Sequence, residues 1–389
     1  MPTKSSPAQP LLVYGPRSLD YDFGPEHPLT PRRFGPGIDL LRELGAVPGL
    51  APEPASDAEL LWCHSARYLD AVKRFSEPAG WGWMDADAGI GPGDCPPFPG
   101  MHEASAAVAG GSIRAMEAIL RDDVTHAFQP GGGLHHAMPS RASGFCIYND
   151  PALAIARARR DGLRVLYVDL DVHHGDGVEA IHADDPEVLT VSIHETGRYL
   201  FPGTGFADDI GEGDAAGTVV NLPLPPDTGG DAWLDAVTSL LPELAAAFAP
   251  DIVVSQHGAD SHLTDPLAHL RNTVTAMGAA ARLVHDLAHA HAGGRWLATG
   301  GGGYAAYRVV PRTWSLVWLA AAHRDVPAET PAAWRERWAA EAARYGEPAL
   351  PETFDDPPTE TSAASAEAIR RTLEGVRAAV LPLLERQRR

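Results

Sequence analysis

The sequence predicts an α/β fold in which right-handed βαβ units build one doubly wound, mainly parallel sheet. Three observations carry that expectation. Short, nearly continuous apolar runs alternate with longer helical patterns through the middle of the chain, and such runs suit strands covered on both faces. Strand–helix alternation is the pattern of right-handed crossovers. Clusters of Gly, His and Asp follow the apolar runs but not the helical stretches, and open parallel sheets bind ligands at the carboxyl ends of their strands.

In chain order, the expected strands are residues 125–128, 165–168, 188–193, 252–255 and 296–298. The stretch 150–160, DPALAIARARR, reads as a helix with Asp150 as N-cap, Pro151 at its first position and Gly162 beyond its end. Residues 231–248 and 271–292 are Ala/Leu-rich with helical spacing, and Pro242 is expected to kink or split the former. A Pro/Thr/Ser/Ala-rich stretch at 356–366 reads as a linker, and 365–389 as a peripheral amphipathic helix. The first ten residues, MPTKSSPAQP, lack the apolar core of a signal peptide and read as a frayed tail.

The 389 residues suffice for one large α/β domain or two average ones, and 44% apolar composition permits a sizeable core. No run of about 18 apolar residues marks a membrane span, so a cytoplasmic location is the expectation. Cys63, Cys95 and Cys146 form no CxxC, which leaves any metal to His, Asp or Glu. A net charge of -20, from 31 basic and 51 acidic residues, disfavours nucleic acid as a partner. The same charge can attract basic partners such as lysine-rich tails, although solubility alone is the simpler reading.

Five loops hold the chemistry: QPGGGLHH after 128, DLDVHHGDG after 168, HETGRYLFPGTG after 193, QHGAD after 255 and TGGGGY after 298. In an extended chain residues two apart share a face, so Asp169, Asp171 and His173 point the same way. A carboxylate and an imidazole at that spacing can reach one divalent ion, with Asp260 the best candidate for a third ligand. Two Asp and one His leave positions open for water and substrate, as catalytic metals require. The alternative is a salt-bridged turn. One of His135 and His136 can take a proton from an activated water, each needing a carboxylate to fix its tautomer; Asp169 and Asp176 remain to supply those carboxylates. Metal ligation by the His pair is the rival reading. The run Gly300–Gly303, Gly302 included, lets backbone approach a ligand, and Tyr304 can donate to a developing oxyanion; a packed turn would look the same. No Walker or Rossmann fingerprint is present.

These stretches resemble the zinc-dependent histone deacetylase family. The resemblance rests on GGGLHHAMPSRASGFCIYND (131–150), VLYVDLDVHHGDGVEA (165–180), TVSIHETGRYLFPGTG (190–205), QHGADSH (256–262) and TGGGGY (299–304), with EHPLTPRR (26–33) and GDCPPFPGM (93–101) as further matches. It runs from about residue 12 to about 320, and DPLAHL (265–270) with QHGAD looks most like the bacterial acetoin-utilisation branch. The resemblance implies the arginase/deacetylase fold: a three-layer α/β/α sandwich on a central, mainly parallel eight-stranded sheet. It implies a tail over 1–10, one catalytic domain over 11–325 and a helical C-terminal extension over 326–389 packed on that domain.

The resemblance further implies hydrolysis of an Nε-acyl-lysine amide, releasing acetate and lysine. Asp171, His173 and Asp260 would hold Zn2+, or Fe2+ in its place. His136 would be general base and acid beside Asp176, His135 an electrostatic partner beside Asp169, and Tyr304 the group that polarises the scissile carbonyl. Phe145 and Phe201 would wall the acyl-lysine stem, with Gly144 beside them. Asp169, Asp171, His173 and Ser192 would hold a structural K+, and Arg33 would lie near an internal acetate channel. The substrate would be an acyl-lysine protein or peptide, or a small acetylated amine such as an acetylpolyamine. An arginase-like ureohydrolase and a non-catalytic acyl-lysine binder are the remaining readings. The chain departs from eukaryotic members after the His pair, where Ala137, Met138 and Pro139 replace basic residues. For their acidic rim residue only Asp94, His102 and Glu103 stand as candidates. No role is assigned to His174 beyond packing or a supporting hydrogen bond, and the loops around 76–100 and 197–213 are expected to set specificity.

Overall fold

A computed structural model describes residues 9–81, 85–347 and 349–388. Most of the expected tail, and three residues of the expected specificity loop at 76–100, lie outside them. Eight strands form one sheet: β1 (Leu11–Val13), β2 (Pro48–Leu50), β3 (His126–Gln129), β4 (Val165–Asp169), β5 (Val188–Glu195), β6 (Val219–Leu224), β7 (Ile252–Gln256) and β8 (Trp296–Thr299). Their order is β2-β1-β3-β8-β7-β4-β5-β6, and every pairing is parallel. All five strands expected from the sequence are present within two residues of their expected ends. β1, β2 and β6 were not anticipated. The first two have three residues each, and β6 reads VVNLPL, where Asn221 and Pro223 interrupt the apolar run. Proline is tolerated there because β6 is an edge strand.

Alternation along the strands divides the interior into two cores. Leu166 and Val168 of β4, with Leu189, Val191 and Ile193 of β5, pack toward the helices Phe34–Glu43, Gly230–Phe248, Val274–His291 and Val310–Ala321. Val165 and Tyr167, with Ile252 and Val254 of β7, pack toward Ala66–Ser76, Met101–Leu120 and Asp150–Arg159. Period-two side-chain direction thus produces the three-layer α/β/α sandwich.

Three expectations need correction. Helix Asp150–Arg159 is capped by Asn149, whose side chain accepts from Ala152 N, and not by Asp150. The Asp150 carboxylate is instead drawn inward, where it accepts from the N–H groups of Gly133 and Leu134 and from the Ser112 hydroxyl. Pro242 does not split its helix, which runs unbroken from Gly230 to Phe248. The stretch 356–366 is less free than a linker. Thr361 and Thr359 hydroxyls accept from Gly229 N and Gly230 N, both at 2.8 Å, satisfying the first donors of a helix whose N-cap glycine has no side chain to do so. Beyond it, helix Ala363–Gln387 buries Ile369, Leu373, Val376, Val380 and Leu384 along one stripe, and Gln387 donates to the Asp214 and Ala216 carbonyls just before β6. No helix among the described residues is long and apolar enough to cross a membrane.

Asp356 fastens this strap. It accepts from the buried Arg312 guanidinium at 2.7 Å, from His262 Nε2 at 3.0 Å and from Val274 N at 2.9 Å. Burial alone would raise its carboxyl, but His262 and Arg312 outweigh that and hold it well below the usual carboxylate range. Replacing Asp356 by Ala strands a buried guanidinium, so urea unfolding at pH 7 should show a loss of about 3 kcal/mol. Because the folded carboxyl is depressed, its contribution is complete above the ordinary Asp value of about 4 and fades as pH falls below it. Wild type and Asp356→Ala should therefore converge in stability toward strongly acidic pH; a constant difference down to pH 2 would contradict the ion pair.

Candidate active site

The carboxyl ends of β4, β7 and β8 deliver three loops to one point. Leu170 N still donates to Gln256 O at 3.0 Å, so β4 stays extended for a residue past its end. Leu170 and Val172 remain in the core while the side chains of Asp169, Asp171 and His173 emerge on the other side. Asp260 follows β7 and reaches the same spot. Asp171, His173 and Asp260 each offer one ligand atom, and these atoms lie within 4.8 Å of one another. His173 Nδ1 is 3.1 Å from Asp171 Oδ1 and 3.3 Å from Asp260 Oδ2.

The residues fit a divalent metal. Asp260 Oδ2 is buried without a hydrogen-bond partner, although its other oxygen accepts from Val172 N at 3.0 Å; a stranded carboxylate oxygen is costly unless a cation meets it. Backbone closes around the cluster so tightly that a Cβ on Gly302 would fall 1.8 Å from Asp260 Oδ2, and one on Gly258 2.1 Å from Asp171 Oδ2. Electrostatics agree. Burial opposes charge on His173, yet Asp171 and Asp260 outweigh it and push the imidazole up to about 10. Asp260 is raised to about 6 by burial and then by Asp171. The cluster thus attracts a positive charge, and a dication can take the place of the proton.

Beside it stand the paired histidines. His135 Nδ1 donates to Asp169 Oδ2 and His136 Nδ1 to Asp176 Oδ1, each at 2.7 Å, and the two Nε2 atoms are 3.0 Å apart. His136 is lowered to about 4, by burial first and then by His135, so its Nε2 carries a lone pair and faces His135 Nε2. His135 goes the other way. Burial would lower it, but Asp169 and Asp171 drive it up to about 9, a pull that weakens once a cation neutralises Asp171. Their loop is held from behind, where Asn149 Nδ2 donates to the His135 and Ala137 carbonyls, both at 3.0 Å.

A channel leads from this chamber to the surface. A narrow inner space and a roomier outer one share His136, Gly144, Phe145, His173 and Tyr304 as walls, and Phe201 and Asp94 line only the outer part. Phe145 adopts a left-handed conformation with φ +67°, which costs about 1–2 kcal/mol for a residue with a Cβ. The Tyr21 hydroxyl holds it there by donating to Phe145 O at 2.7 Å. Gly144 has no room for a side chain, since a Cβ would meet His136 Cδ2 at 2.4 Å and Phe201 Cε1 at 2.8 Å. Gly302 lines the inner chamber, and its N–H donates to Asp171 Oδ2 at 2.9 Å. Arg33 is buried behind the chamber, donates to Gly301 O at 2.6 Å and lines a further small cavity.

Some candidates lie elsewhere. His102 and Glu103 start helix Met101–Leu120, where His102 contacts the Tyr148 hydroxyl, and neither lines the channel; Asp94 does. His174 is tied to Glu179 and Thr204, both at 2.9 Å, outside the chamber. Ser192 is the register partner of Asp169, and its hydroxyl donates to His194 Nδ1 at 2.8 Å. Supporting residues that escaped the sequence reading include Gln256, which donates to Asp171 Oδ2 at 2.6 Å; Tyr167, which donates to Asp169 Oδ2 at 2.6 Å; and Asp265, which accepts from Tyr304 N at 3.0 Å. Gln256 had a signal, being a polar residue at the end of a buried strand.

Comparison with known proteins agrees with this geometry. The family model described as Histone deacetylase domain matches residues 27–321. The chain is 42% identical to the acetoin utilization protein AcuC of Bacillus subtilis (strain 168) over 355 residues, covering 89% of this chain and 90% of that protein. AcuC of Staphylococcus xylosus is 36% identical over 348 residues, 88% of this chain and 90% of that one. Among solved structures, an HDAC homolog complexed with SAHA aligns with a TM-score of 0.83 at 29% identity, over 95% of this chain and 100% of the other. An HDAC homolog from Aquifex aeolicus gives 0.82 at 28% identity with the same coverage.

The closeness of Gly302 to the cluster is testable without an activity assay. Gly302→Ala should displace Asp260 and weaken binding of Zn2+ to chelator-stripped protein by at least about tenfold, measured by competition with a chromophoric chelator. Unchanged affinity would mean that Asp260 is not a ligand.

Proposed function

This chain belongs to the histone deacetylase family and is a deacetylase, and from that premise we propose that it hydrolyses the Nε-acyl-lysine amide of proteins or peptides at the Asp171–His173–Asp260 cluster. The observation that carries the proposal is the channel itself. Exposed Phe201 and Asp94 line its outer part, Phe145, His136, Gly144, His173 and Tyr304 line both parts, and the inner part ends at the cluster. That shape suits a linear alkyl stem with a small acyl group at its tip, the aromatic faces burying the methylenes.

A divalent ion held by Asp171, His173 and Asp260, Zn2+ or Fe2+, supplies a Lewis acid for the carbonyl and brings the pKa of a water toward about 7. The chain's own residues do the rest. His136, its tautomer fixed by Asp176, accepts the proton of the attacking water at Nε2. The C–O bond forms, the C–N bond breaks, and His136 returns the proton to the departing amine. His135, fixed by Asp169, shares the positive charge across the 3.0 Å gap between the rings. Tyr304 donates its hydroxyl hydrogen to the developing oxyanion; burial raises its phenol well above the ordinary value, so it stays a donor at all working pH. Asp169, Asp171, His173 and Ser192 would hold K+, mainly through oxygens. Asp94 at the mouth accepts from the substrate backbone, and the acidic surface favours lysine-rich partners.

Tyr304→Phe should lower kcat on an acetyl-lysine peptide about 100- to 1,000-fold with little change in KM, because the donor acts only as charge develops. Full activity in that variant would remove the role. Asp94→Ala should raise KM for the peptide about tenfold while leaving a small acetylated amine unaffected. Side-by-side kcat/KM on an acetyl-lysine peptide and on acetylspermidine tests the substrate class. A clear preference for acetylspermidine would make the chain a small-molecule amidohydrolase instead.

A further inference from the structure

At the other end of the sheet, where β3 and β8 begin, lies a second group of metal-ligating side chains. We propose that His126, His285, His289 and His323 form a closed, structural site for a divalent transition-metal ion such as Zn2+, independent of the catalytic cluster. The six distances between their ring centroids all fall between 4.6 and 5.1 Å. Each ring is therefore equally near the other three. Four points related in this way mark the corners of a tetrahedron, the coordination preferred by zinc. One ring nitrogen from each residue lies within 4.8 Å of those of the others. A tetrahedral ion with bonds of about 2.0–2.1 Å needs nitrogens about 3.4 Å apart. Rotation of the two exposed rings, His289 and His323, can close that gap.

The nitrogens are prepared for the task. His126 Nδ1 donates to the Ala321 carbonyl at 2.7 Å, which leaves the Nε2 lone pair facing His289 Nε2 at 3.1 Å. His285 Nδ1 is held by Asp286 Oδ1 at 2.8 Å. Its Nε2 is buried without a partner, in a residue only 5% exposed. Fixing one nitrogen with an oxygen so that the other can bind is how metal-ligating histidines are oriented, and an orphaned buried nitrogen calls for a ligand.

The backbone adds an independent sign. His323 follows helix Val310–Ala321 with φ +54°. Its N–H bonds to Ala320 O and that of Arg324 to Leu319 O, the two bonds of a helix-ending motif whose left-handed position ordinarily holds glycine. A histidine there accepts strain that glycine would avoid. His285 and His289 sit one turn apart near the end of helix Val274–His291. The carboxyl ends of two helices thus meet at the cluster, and their dipoles favour a cation. With four protein ligands no coordination position stays open, so the ion would clip the start of β3 to both helix ends rather than catalyse.

The test uses full-length protein stripped with chelator and titrated with Zn2+, bound metal being counted by mass spectrometry. Wild type should take up two equivalents, the His289→Ala/His323→Ala double variant one, and the Asp171→Ala/Asp260→Ala double variant one. The histidine double variant should keep full deacetylase activity. Two equivalents in the histidine double variant, or none in the aspartate double variant, would overturn the site; loss of activity without loss of metal in the histidine variant would do the same. His323→Gly guards against misfolding. In the aspartate-variant background it should raise the Tm of the metal-free protein by relieving strain and abolish the Tm rise on adding Zn2+. A Tm rise matching that of its parent would refute the role of His323.

Discussion

Four buried carboxylates at the carboxyl end of one sheet, those of Asp169, Asp171, Asp176 and Asp260, set the terms for everything around them. Charge of that density is costly in a protein interior unless each oxygen has a donor or a cation. The donors are traceable: His135 and Tyr167 for Asp169, Gln256 and Gly302 for Asp171, His136 for Asp176, Val172 N for Asp260. Asp260 Oδ2 is buried with no such donor and faces the cluster. The abundance of glycine in these loops follows from the same crowding. A Cβ on Gly175 would lie 2.2 Å from Asp169 Oδ2, as those on Gly258 and Gly302 would collide with Asp171 and Asp260. Glycine here makes room for carboxylates, not for phosphate.

That constraint explains which parts of the molecule could be read from sequence. β3, β4, β5, β7 and β8 are central and buried on both faces, and each carries an apolar stretch that pattern finds, although β3 (HAFQ) is half polar. β1, β2 and β6 sit at or near the sheet edges, where three-residue strands or a proline suffice, and no run of residues announces them. The side chains proposed to act in the reaction lie in dense local motifs and were visible as residue types. Of those that hold them, Asp169 and Asp176 were visible and others were not. Gln256, Asn149 and Asp150 act across longer sequence separations, Tyr167 acts on Asp169 close by in the chain, and a local rule misassigned one of them. Asp150 stands where an N-cap is expected, but the donors of the Gly133 loop compete for its carboxylate and win, because those buried N–H groups have no other acceptor while Asn149 can cap the helix.

The C-terminal strap shows the same logic at larger scale. Its Pro/Thr/Ser/Ala composition resembles a linker because hydroxyl and carboxylate groups are what a strap needs. Thr359 and Thr361 finish a helix that begins on glycine, and Asp356 joins Arg312 to His262. His262 is two residues beyond Asp260, so the strap braces the loop that carries a cluster ligand. Segments that look unstructured by composition can therefore fix a site they never touch.

The two ends of the sheet also differ in how they would balance a dication. Asp171, Asp260 and a neutral His173 carry two negative charges and neutralise the ion within the ligand set, which frees the remaining positions for neutral water and an uncharged amide. Four imidazoles carry no charge, so an ion held by them keeps its full charge. That charge must be met from outside the ligand shell, by Asp286 on His285, by Ala321 O through His126 and by the carboxyl ends of two helices. An open carboxylate-rich set suits turnover, and a closed imidazole set anchored to helix ends suits permanence. The placement follows from the sheet: strand carboxyl ends splay into loops that admit substrate, whereas strand amino ends meet helix termini that are already packed.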